Sequence, residues 1–479
     1  MHVTATQPKG PQAPTAVPGI PPKKYKAYDL RNFRSIPQVA EHLSEEQMFE
    51  VEVVGHVFPF KTNNYVVEEL IDWSNVPHDP MFVLTFPQRG MLAGEDFEAM
   101  AAALQEAPDD ADRLLEVANT IRHRLNPHPA GQLEHNVPDL YGQKLPGMQH
   151  KYQETVLFFP SQGQTCHAYC TFCFRWPQFV GMDDMKFQMK EVETLIEYLE
   201  ANPQVTDVLF TGGDPMVMAP RIIRGYLDAL VEAKRAGRTP NLMTIRIGSK
   251  SLTYWPYKYV SDRGADEVLD AFRNVTRNGL QLAFMAHFNH PVELSTPAVR
   301  AAIRRIRQAG AVIRSQTPLM AGINDHPDLW ARKWRREVNL GVIPYYMFVA
   351  RDTGAQEYFG VPLVRAHRIF REAYKQVSGL CRTVRGPSMS ADPGKVEVLG
   401  PVEVAGEKVL ALRFLQGRDP DWVDRPFFAK YDEDAIWLDD LEPAFEERFF
   451  WQDELDRMYA TDHATGEHLD EFAEAAEAA

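Results

Sequence analysis

The sequence predicts an α/β fold in which helices cover a parallel sheet, and three observations point to it. Short, almost wholly apolar segments recur through the middle of the chain, as expected for strands that are buried on both faces. Between them, apolar residues recur at i, i+3, i+4 and i+7, the spacing of an amphipathic helix. The two patterns alternate six times, which is typical of a parallel sheet covered by helices.

The strands and helices can be assigned in chain order from these patterns. The predicted strands are 155–160, 207–211, 242–247, 280–287, 311–316 and 343–349, and the helices after them begin near 192, 222, 265, 296, 329 and 363. A seventh strand is predicted at 382–385. Six strand–helix pairs are too few for an eight-fold barrel, so a six-stranded partial barrel and an open doubly wound sheet both fit. In either case the working residues should lie just past the carboxyl ends of strands.

The segments on either side of this sheet differ from it in composition. Residues 1–25 are rich in proline and poor in large apolar residues, so we predict a disordered arm. Residues 26–145 are predicted as an N-terminal helical extension, and residues 146–395 as a partial (β/α)6, TIM-like barrel, which we take as the predicted fold. Residues 396–462 are predicted as a C-terminal α+β extension that begins with a hairpin and is a candidate for contact in a homo-oligomer. Residues 463–479 are predicted as an acidic tail.

Charge and hydropathy exclude several classes of protein. The formal net charge is -15, which argues against nucleic acid as the main partner, because backbone phosphates bind basic surfaces. No apolar run approaches the ~20 residues that span a bilayer. The first residues lack the apolar segment of a secretory signal. A cytoplasmic protein without a membrane partner is therefore expected.

Three of the four cysteines, Cys166, Cys170 and Cys173, fall within eight residues, in the loop after the first predicted strand. Three thiolates can bind three irons of a cubane cluster and leave the fourth iron open to a small ligand. A structural zinc site is the alternative, but it usually takes four ligands, so His167 or Cys381 would have to complete it. Chance clustering is a second alternative. The position of the loop between a strand and a helix favours the cluster.

The Cys-x3-Cys-x2-Cys spacing resembles the signature of the radical S-adenosylmethionine superfamily. This resemblance implies a [4Fe-4S] cluster whose open iron chelates S-adenosylmethionine. It also implies an electron donor, such as flavodoxin or ferredoxin, because an electron from the cluster cleaves that cofactor to a 5′-deoxyadenosyl radical. Gly212, Gly213 and Asp214 follow the second predicted strand, where the superfamily has a glycine-rich segment that meets the methionyl amino group. The alternative is an ordinary turn, since glycine and aspartate favour turns.

Further segments resemble the lysine 2,3-aminomutase family within that superfamily. They occur in the family's order and extend the likeness from about residue 50 to residue 400. The segments are 59–65 (PFKTNNY), 246–249 (RIGS), 285–291 (MAHFNHP), 323–327 (INDHP) and 344–346 (PYY). The resemblance implies a 2,3-aminomutase that moves an amino group between C2 and C3 of a small amino acid substrate.

The resemblance also implies pyridoxal 5′-phosphate (PLP), held as a Schiff base on Lys395 in the loop Ser-Ala-Asp-Pro-Gly-Lys. A lysine becomes such a nucleophile when burial lowers its pKa; the alternative is a solvated turn lysine. The family's phosphate-binding arginines are matched here by Lys151 and Thr155, and Gln316 matches a glutamine near the cofactor. Lys151 can act as a point charge, so phosphate binding is expected to be weaker or differently arranged.

Two arginines are implied in substrate binding. Arg175 matches the arginine that grips the substrate α-carboxylate, a role that suits a planar guanidinium; the alternative is a surface arginine. Arg351 stands where lysine enzymes have the first of two aspartates that hold a terminal ammonium, with Asp352 next to it and the second near Ser388. A cation there favours a substrate with an acidic or polar side chain over lysine. The alternative is that Arg351 pairs with Asp352 or Glu357 and never meets substrate.

Two other functions stay open at the level of sequence. The first is a radical S-adenosylmethionine enzyme on the same scaffold that does not use PLP. The second belongs to another class, a non-catalytic iron–sulfur or zinc protein used for structure or electron transfer.

Overall fold

The computed structural model describes residues 17–125, 135–180 and 188–460 and begins with a small helical unit. Its elements are the paired strands β1 (Ala27–Tyr28) and β2 (Thr62–Asn63) and the helices α1 (Pro37–His42), α2 (Glu45–Val57), α3 (Pro80–Thr85), α4 (Gly94–Glu106) and α5 (Ala111–Leu125). Helix α2 starts at a capping box, in which Ser44 and Gln47 each accept a hydrogen bond from the other's backbone. The range predicted as a helical extension thus contains α1 to α5 among its described residues.

The predicted arm and tail fall largely outside the described residues, which exclude 1–16 and 461–479. Residues 17–25 of the arm, however, contact the folded chain. Lys23 Nζ lies 2.7 Å from Glu69 Oε1, and the Tyr25 hydroxyl donates a 2.7 Å hydrogen bond to the His167 carbonyl. The predicted disorder therefore does not extend to residues 17–25.

A large sheet and its covering helices follow, which confirms the α/β class. After the hairpin β3 (Asp139–Leu140) and β4 (Gln143–Lys144), the strands are β5 (Met148–Tyr152), β6 (Thr155–Phe158), β7 (Asp207–Phe210), β8 (Thr244–Ser249), β9 (Gln281–His287), β10 (Val312–Leu319), β11 (Val342–Val349) and β12 (Arg385–Ser390). The helices are α6 (Val192–Ala201), α7 (Pro220–Arg235), α8 (Ser251–Tyr254), α9 (Ala265–Arg277), α10 (Pro297–Gln308), α11 (Pro327–Leu340), α12 (Gln356–Phe359) and α13 (Leu363–Lys375).

Strands β6 to β12 are parallel and lie side by side in chain order. This order differs from that of a doubly wound sheet, in which the order reverses partway across. All six predicted strands are present with small changes at their ends. The seventh strand was predicted at 382–385 but is found at Arg385–Ser390. Gly386 and Pro387 lie inside it, where its pairing with β11 is irregular. Glycine and proline are uncommon inside strands, so sequence patterns do not extend a strand through them.

The sheet is strongly curved. Strand β5 lies at one edge, antiparallel to β6, and β13 (Gly394–Val404) lies beyond β12, so seven parallel strands separate them. Nevertheless, Lys151 Nζ in β5 donates a 2.6 Å hydrogen bond to the carbonyl of Ala391, and the Tyr152 ring lies 5.7 Å from Lys395 Nζ in β13. The concave face of the sheet therefore encloses an interior space.

The C-terminal extension continues this sheet. Strands β13, β14 (Glu407–Gly417) and β15 (Pro426–Lys430) are antiparallel, and residues 452–460 form a helical segment. The N-terminal unit packs at the carboxyl ends of the strands. Its core includes Ala168, Trp176 and Tyr254, which belong to the segments that follow β6 and β8. Among the described residues, no helix has the length and apolar character that crossing a bilayer requires.

Candidate active site

A cavity of about 320 Å³ occupies the concave face of the sheet and carries an unusual charge. Five cations line it, and none of the described residues that line it is a carboxylate. The cations are Lys151, Arg175, Arg246, Arg351 and Lys395. Two of the five pair with carboxylates outside the lining, Arg246 with Asp207 and Arg351 with Asp352; any positive charge left without such a partner is costly to bury, because burial removes its hydration. Such a cavity is suited to anionic ligands.

The three cysteines lie together on the loop between β6 and α6, at the rim of this cavity. Burial raises the pKa of all three thiols, that of Cys173 to about 12; the Cys170 thiolate further raises the pKa of Cys166 and Cys173, and the Cys173 thiolate that of Cys166. Residues between and beside them, Phe172, Phe174 and Arg175, line the cavity. Within the described chain, no three His, Cys, Asp or Glu side chains are grouped so as to hold a single metal ion. Three neighbouring thiols on one loop nevertheless fit the donor set of a three-cysteine cubane.

The N-terminal unit and α8 anchor this cysteine loop. Lys61 Nζ donates a 2.6 Å hydrogen bond to the Cys166 carbonyl, and Asn63 Nδ2 donates one of 3.1 Å to the His167 carbonyl. The Tyr254 hydroxyl lies 3.3 Å from Cys170 Sγ. Burial lowers the pKa of His167 to about 3, so its imidazole is neutral. Sequence singled out segment 59–65, which contains Lys61 and Asn63, but not its contact with the cysteine loop, and it did not single out Tyr254.

Gly212 and Gly213 pack closely against the start of the cysteine loop, Gly212 against the Gln164 side chain and Gly213 against the Thr165 backbone. A Cβ on Gly213 would lie 2.5 Å from the Thr165 nitrogen, Gly212 has φ +126°, and Asp214 N donates a 2.7 Å hydrogen bond to the Thr165 carbonyl. The glycines are therefore required by close approach, beyond what an ordinary turn needs.

The Asp214 carboxylate is occupied by the chain itself. It accepts hydrogen bonds from Ser249 Oγ at 2.7 Å, Met216 N at 2.9 Å and Lys250 N at 3.0 Å. These bonds tie the glycine-rich segment to the end of β8. Asp214 thus positions the segment that sequence assigned to S-adenosylmethionine.

Lys395 extends into the cavity and has the properties of a Schiff-base lysine. Its Nζ donates a 2.8 Å hydrogen bond to Gln416 Oε1 and lies 4.4 Å from the centre of the Tyr346 ring. Burial, with smaller contributions from Arg246 and Arg385, lowers its pKa to about 7. A solvated turn lysine would keep an ordinary pKa near 10.4. The site therefore fits a carbonyl cofactor bound through Lys395.

The C-terminal extension holds the loop that precedes Lys395. Arg418 Nη2 donates a 3.0 Å hydrogen bond to Asp392 Oδ1, and the Tyr459 hydroxyl donates to the same carboxylate at 2.6 Å. Neither residue, nor Gln416, was predicted from sequence. Of these residues, Gln416 could have been identified from the predicted hairpin, because it pairs with Lys395 across β13 and β14.

The remaining residues assigned to PLP line the same cavity. Gln316, Thr155 and Lys151 all contribute to its wall. The hydrogen bond from Lys151 Nζ goes to the Ala391 carbonyl, and burial places the Lys151 pKa well below its ordinary value, with the Arg418 charge contributing. The structure thus brings Lys151 beside the Lys395 loop but gives it a protein partner.

Arg175 and Arg351 each present a buried N–H without a hydrogen-bond partner, at Nη1 and Nη2 respectively. Burial lowers the pKa of Arg175 to about 10. Arg351 does pair with Asp352, at 3.1 Å through Nε, but it also lines the cavity. Ser388 does not line it; its hydroxyl lies 3.5 Å from the Met347 carbonyl. Both arginines therefore retain donors for a ligand.

Comparison with known proteins gives relatives over most of the chain. No protein-family model matches it. A protein named "Putative L-lysine 2,3-aminomutase" from Aquifex aeolicus is 30% identical over 400 residues, which are 84% of this chain and 92% of that protein. The L-lysine 2,3-aminomutase of Methanococcus maripaludis is 25% identical over 396 residues, 82% of this chain and 78% of that enzyme. Among solved structures, Streptococcus suis SuiB bound to precursor peptide SuiA aligns over 57% of this chain and 58% of that one, at 10% identity and a TM-score of 0.33, too low to support an argument.

Proposed function

Because the chain belongs to the lysine 2,3-aminomutase family, we propose that it is a radical S-adenosylmethionine, PLP-dependent 2,3-aminomutase acting on an α-amino acid. One observation carries the proposal. The loop that bears the three cysteines supplies Phe172, Phe174 and Arg175 to the same cavity into which Lys395 projects. A cluster site and a Schiff-base lysine that share one cavity suit a reaction needing both cofactors, since reacting groups must be held in contact.

Each cofactor has residues suited to it. Cys166, Cys170 and Cys173 would hold a [4Fe-4S] cluster, the segment from Gly212 to Asp214 would meet S-adenosylmethionine, and Lys395 would hold PLP. When bound, the cluster and S-adenosylmethionine supply a radical that removes hydrogen, and PLP supplies a conjugated carbonyl that carries the amino group.

The chain's own part in the reaction is to bind, orient and exclude water. Arg175 Nη1 is free to donate to the substrate α-carboxylate. Tyr346 and Phe348 lie 4.4 and 5.7 Å from Lys395 Nζ and flank the amino group with apolar surface. The N-terminal unit covers the carboxyl ends of the strands, which limits the entry of water that would quench a radical.

The charge of the cavity supports a substrate with an acidic side chain. Arg175 and Arg351 both have a free, buried N–H, and the described lining offers no carboxylate for an ammonium group. A second carboxylate on the substrate would satisfy Arg351 with a charge-assisted hydrogen bond, whereas lysine would bring a further cation. We therefore assign a dicarboxylic α-amino acid as the substrate class.

Several coarser features belong to the same proposal. The curved sheet would be the partial (β/α)6 barrel of the sequence prediction, closed on its outer side by the C-terminal strands. A flavodoxin or ferredoxin in the cytoplasm would supply the electron, and a homo-oligomer stays a prediction for the C-terminal extension.

The test is anaerobic reconstitution with iron, sulfide and PLP, followed by two assays on one sample. We expect reductant-dependent release of 5′-deoxyadenosine and conversion of aspartate or glutamate to its β-isomer. Cys170→Ala should abolish both. Cys381→Ala is the matched control, because Cys381 is buried in a separate apolar cluster. Failure to cleave S-adenosylmethionine would refute the radical mechanism, and cleavage without PLP uptake would favour the enzyme that does not use PLP.

A further inference from the structure

A second cavity, of about 490 Å³, lies at the amino ends of the strands and adjoins the first. Arg246, Met285 and Tyr345 line both. The second cavity is also lined by Arg314 and Arg385, and Asp207 is the one carboxylate among its described lining residues. We call Arg246, Arg314 and Arg385 the cationic floor, because these three guanidinium groups lie beneath the Lys395 cavity with one carboxylate among them. The proposed reaction assigns them no role.

The carboxylate is already committed to one of the three arginines. Arg246 Nε donates a 2.9 Å hydrogen bond to Asp207 Oδ1, and Arg246 Nη2 donates one of 3.3 Å to Thr155 Oγ1. Arg314 and Arg385 form no ion pair with a carboxylate in the described chain. Instead, their guanidinium carbons lie 5.0 and 4.5 Å from the centre of the Tyr345 ring. Two arginines in a cavity without carboxylate partners leave their donors for an external anion.

The floor lies within reach of Lys395. The Lys395 Nζ is 4.4 Å from the centre of the Tyr346 ring, and the guanidinium carbon of Arg385 is 4.3 Å from the same centre. The two groups are therefore at most 8.7 Å apart, the sum of these distances. In PLP, five covalent bonds separate the carbon that a lysine captures from phosphorus. That span fits between Lys395 and Arg385.

A phosphate monoester is a dianion and is best bound by more than one guanidinium, each offering paired donors. The expected arginines before the first strand are replaced by Lys151 and Thr155, and Lys151 Nζ is engaged with the Ala391 carbonyl. Arg246 reaches Thr155 from the neighbouring part of the sheet. The floor thus supplies the charges that the first strand lacks.

We propose that Arg314 and Arg385, together with Arg246, bind the phosphate group of PLP while Lys395 holds its aldehyde carbon. This assignment rests on the proposed function, because it takes PLP as the cofactor. It adds the residues that recognise the phosphate, and it makes the amino end of the sheet part of the cofactor site.

The experiment measures cofactor binding without turnover. Protein freed of PLP is titrated with PLP and, separately, with pyridoxal, which lacks the phosphate, and the absorbance of the protein-bound cofactor gives a Kd. Arg314→Gln and Arg385→Gln should each weaken PLP binding about tenfold, and the double variant about a hundredfold, by loss of charge-assisted hydrogen bonds. Pyridoxal binding, measured at a pH high enough for Lys395 to be neutral in every variant, should not change. Arg300→Gln is the control, because Arg300 is exposed on α10.

Further variants and a competition assay distinguish failure of the phosphate assignment from failure of the proposed function. Arg385→Lys keeps the charge but loses the paired donors, so its affinity for PLP should fall between those of wild type and Arg385→Gln; this graded loss guards against a folding defect in Arg385→Gln. Inorganic phosphate should compete with PLP but not with pyridoxal. If Lys395→Ala abolishes PLP binding while the glutamine variants bind as well as wild type, the phosphate assignment is overturned and the proposed function stands. The phosphate assignment is also overturned, and the proposed function still stands, if inorganic phosphate binds the protein without competing with PLP. If wild type takes up no PLP through Lys395, the proposed function itself fails.

Discussion

The ε-amino group of Lys395 donates a 2.8 Å hydrogen bond to Oε1 of Gln416, its partner across β13 and β14. The bond directs the amino group into the cavity above the Tyr346 ring, and burial lowers its pKa to about 7. A lysine in this state is about half neutral at neutral pH, and only the neutral amine attacks a carbonyl.

The first prediction concerns the pH dependence of cofactor capture. The rate of imine formation between Lys395 and PLP should rise through pH 7 and level off above about pH 8, because the protonated amine is unreactive below its pKa. An ordinary lysine would continue to gain rate up to about pH 10. Stopped-flow absorbance on protein freed of PLP checks this. Arg385→Gln removes a like charge and should move the midpoint upward, whereas Arg300→Gln should leave it in place. A midpoint near pH 10 in wild type would contradict the buried state of Lys395.

The second prediction concerns the hydrogen bond between Tyr254 and Cys170 Sγ. A donor to a cluster sulfur stabilises the reduced cluster, which carries more negative charge, and so raises its midpoint potential. Tyr254→Phe should lower that potential by roughly 20–60 mV, the equivalent of one neutral hydrogen bond in a one-electron couple. A redox titration followed by electron paramagnetic resonance measures it. Tyr141→Phe, at an exposed turn, is the control; equal potentials in all three proteins would show that the bond does not act on the cluster.

Sequence predicted the local parts of the site and missed the parts that tertiary structure assembles. Lys395 was assigned through the resemblance of its loop to that of the family, whereas Arg418 and Tyr459 contact the loop from later segments that carry no such resemblance. Gln416 could have been predicted from the hairpin. If Val404 pairs with Glu407, counting outward from the turn pairs Lys395 with Gln416, and the two register shifts between these pairs cancel. The choice between an open and a curved sheet could not be made from periodicity. It depends on register accumulated over seven strands, which individual strands do not encode.

The third prediction tests why two glycines precede Asp214. Gly213→Ala should destabilise the protein by about 1–3 kcal/mol, because the added Cβ would meet the backbone of Thr165 at 2.5 Å, and overpacking against backbone cannot relax cheaply. Gly225→Ala is a matched control in α7, where a Cβ meets nothing within 4 Å. There alanine should stabilise the protein by about 0.5–1 kcal/mol through its helix propensity. Denaturant unfolding gives both free energies, and iron content after reconstitution reports the cysteine loop. A Gly213→Ala protein with wild-type stability and full iron would show that the two loops are not in close contact.

The fourth prediction separates the two arginines that flank Phe174, each with its guanidinium carbon 5.1 Å from the centre of that ring. Arg351→Met keeps the bulk and removes the charge, so the KM for an acidic amino acid should rise by about tenfold or more, the loss expected for one charged hydrogen bond. Binding of S-adenosylmethionine should not change, since the segment proposed to meet it is Gly212 to Asp214. Arg175→Met should instead impair every α-amino acid tested, because all of them share the α-carboxylate. Steady-state kinetics with glutamate, aspartate and lysine distinguish the two variants. Turnover of lysine by wild type as fast as that of glutamate would contradict a side-chain role for Arg351, since a terminal ammonium beside that guanidinium would be repelled.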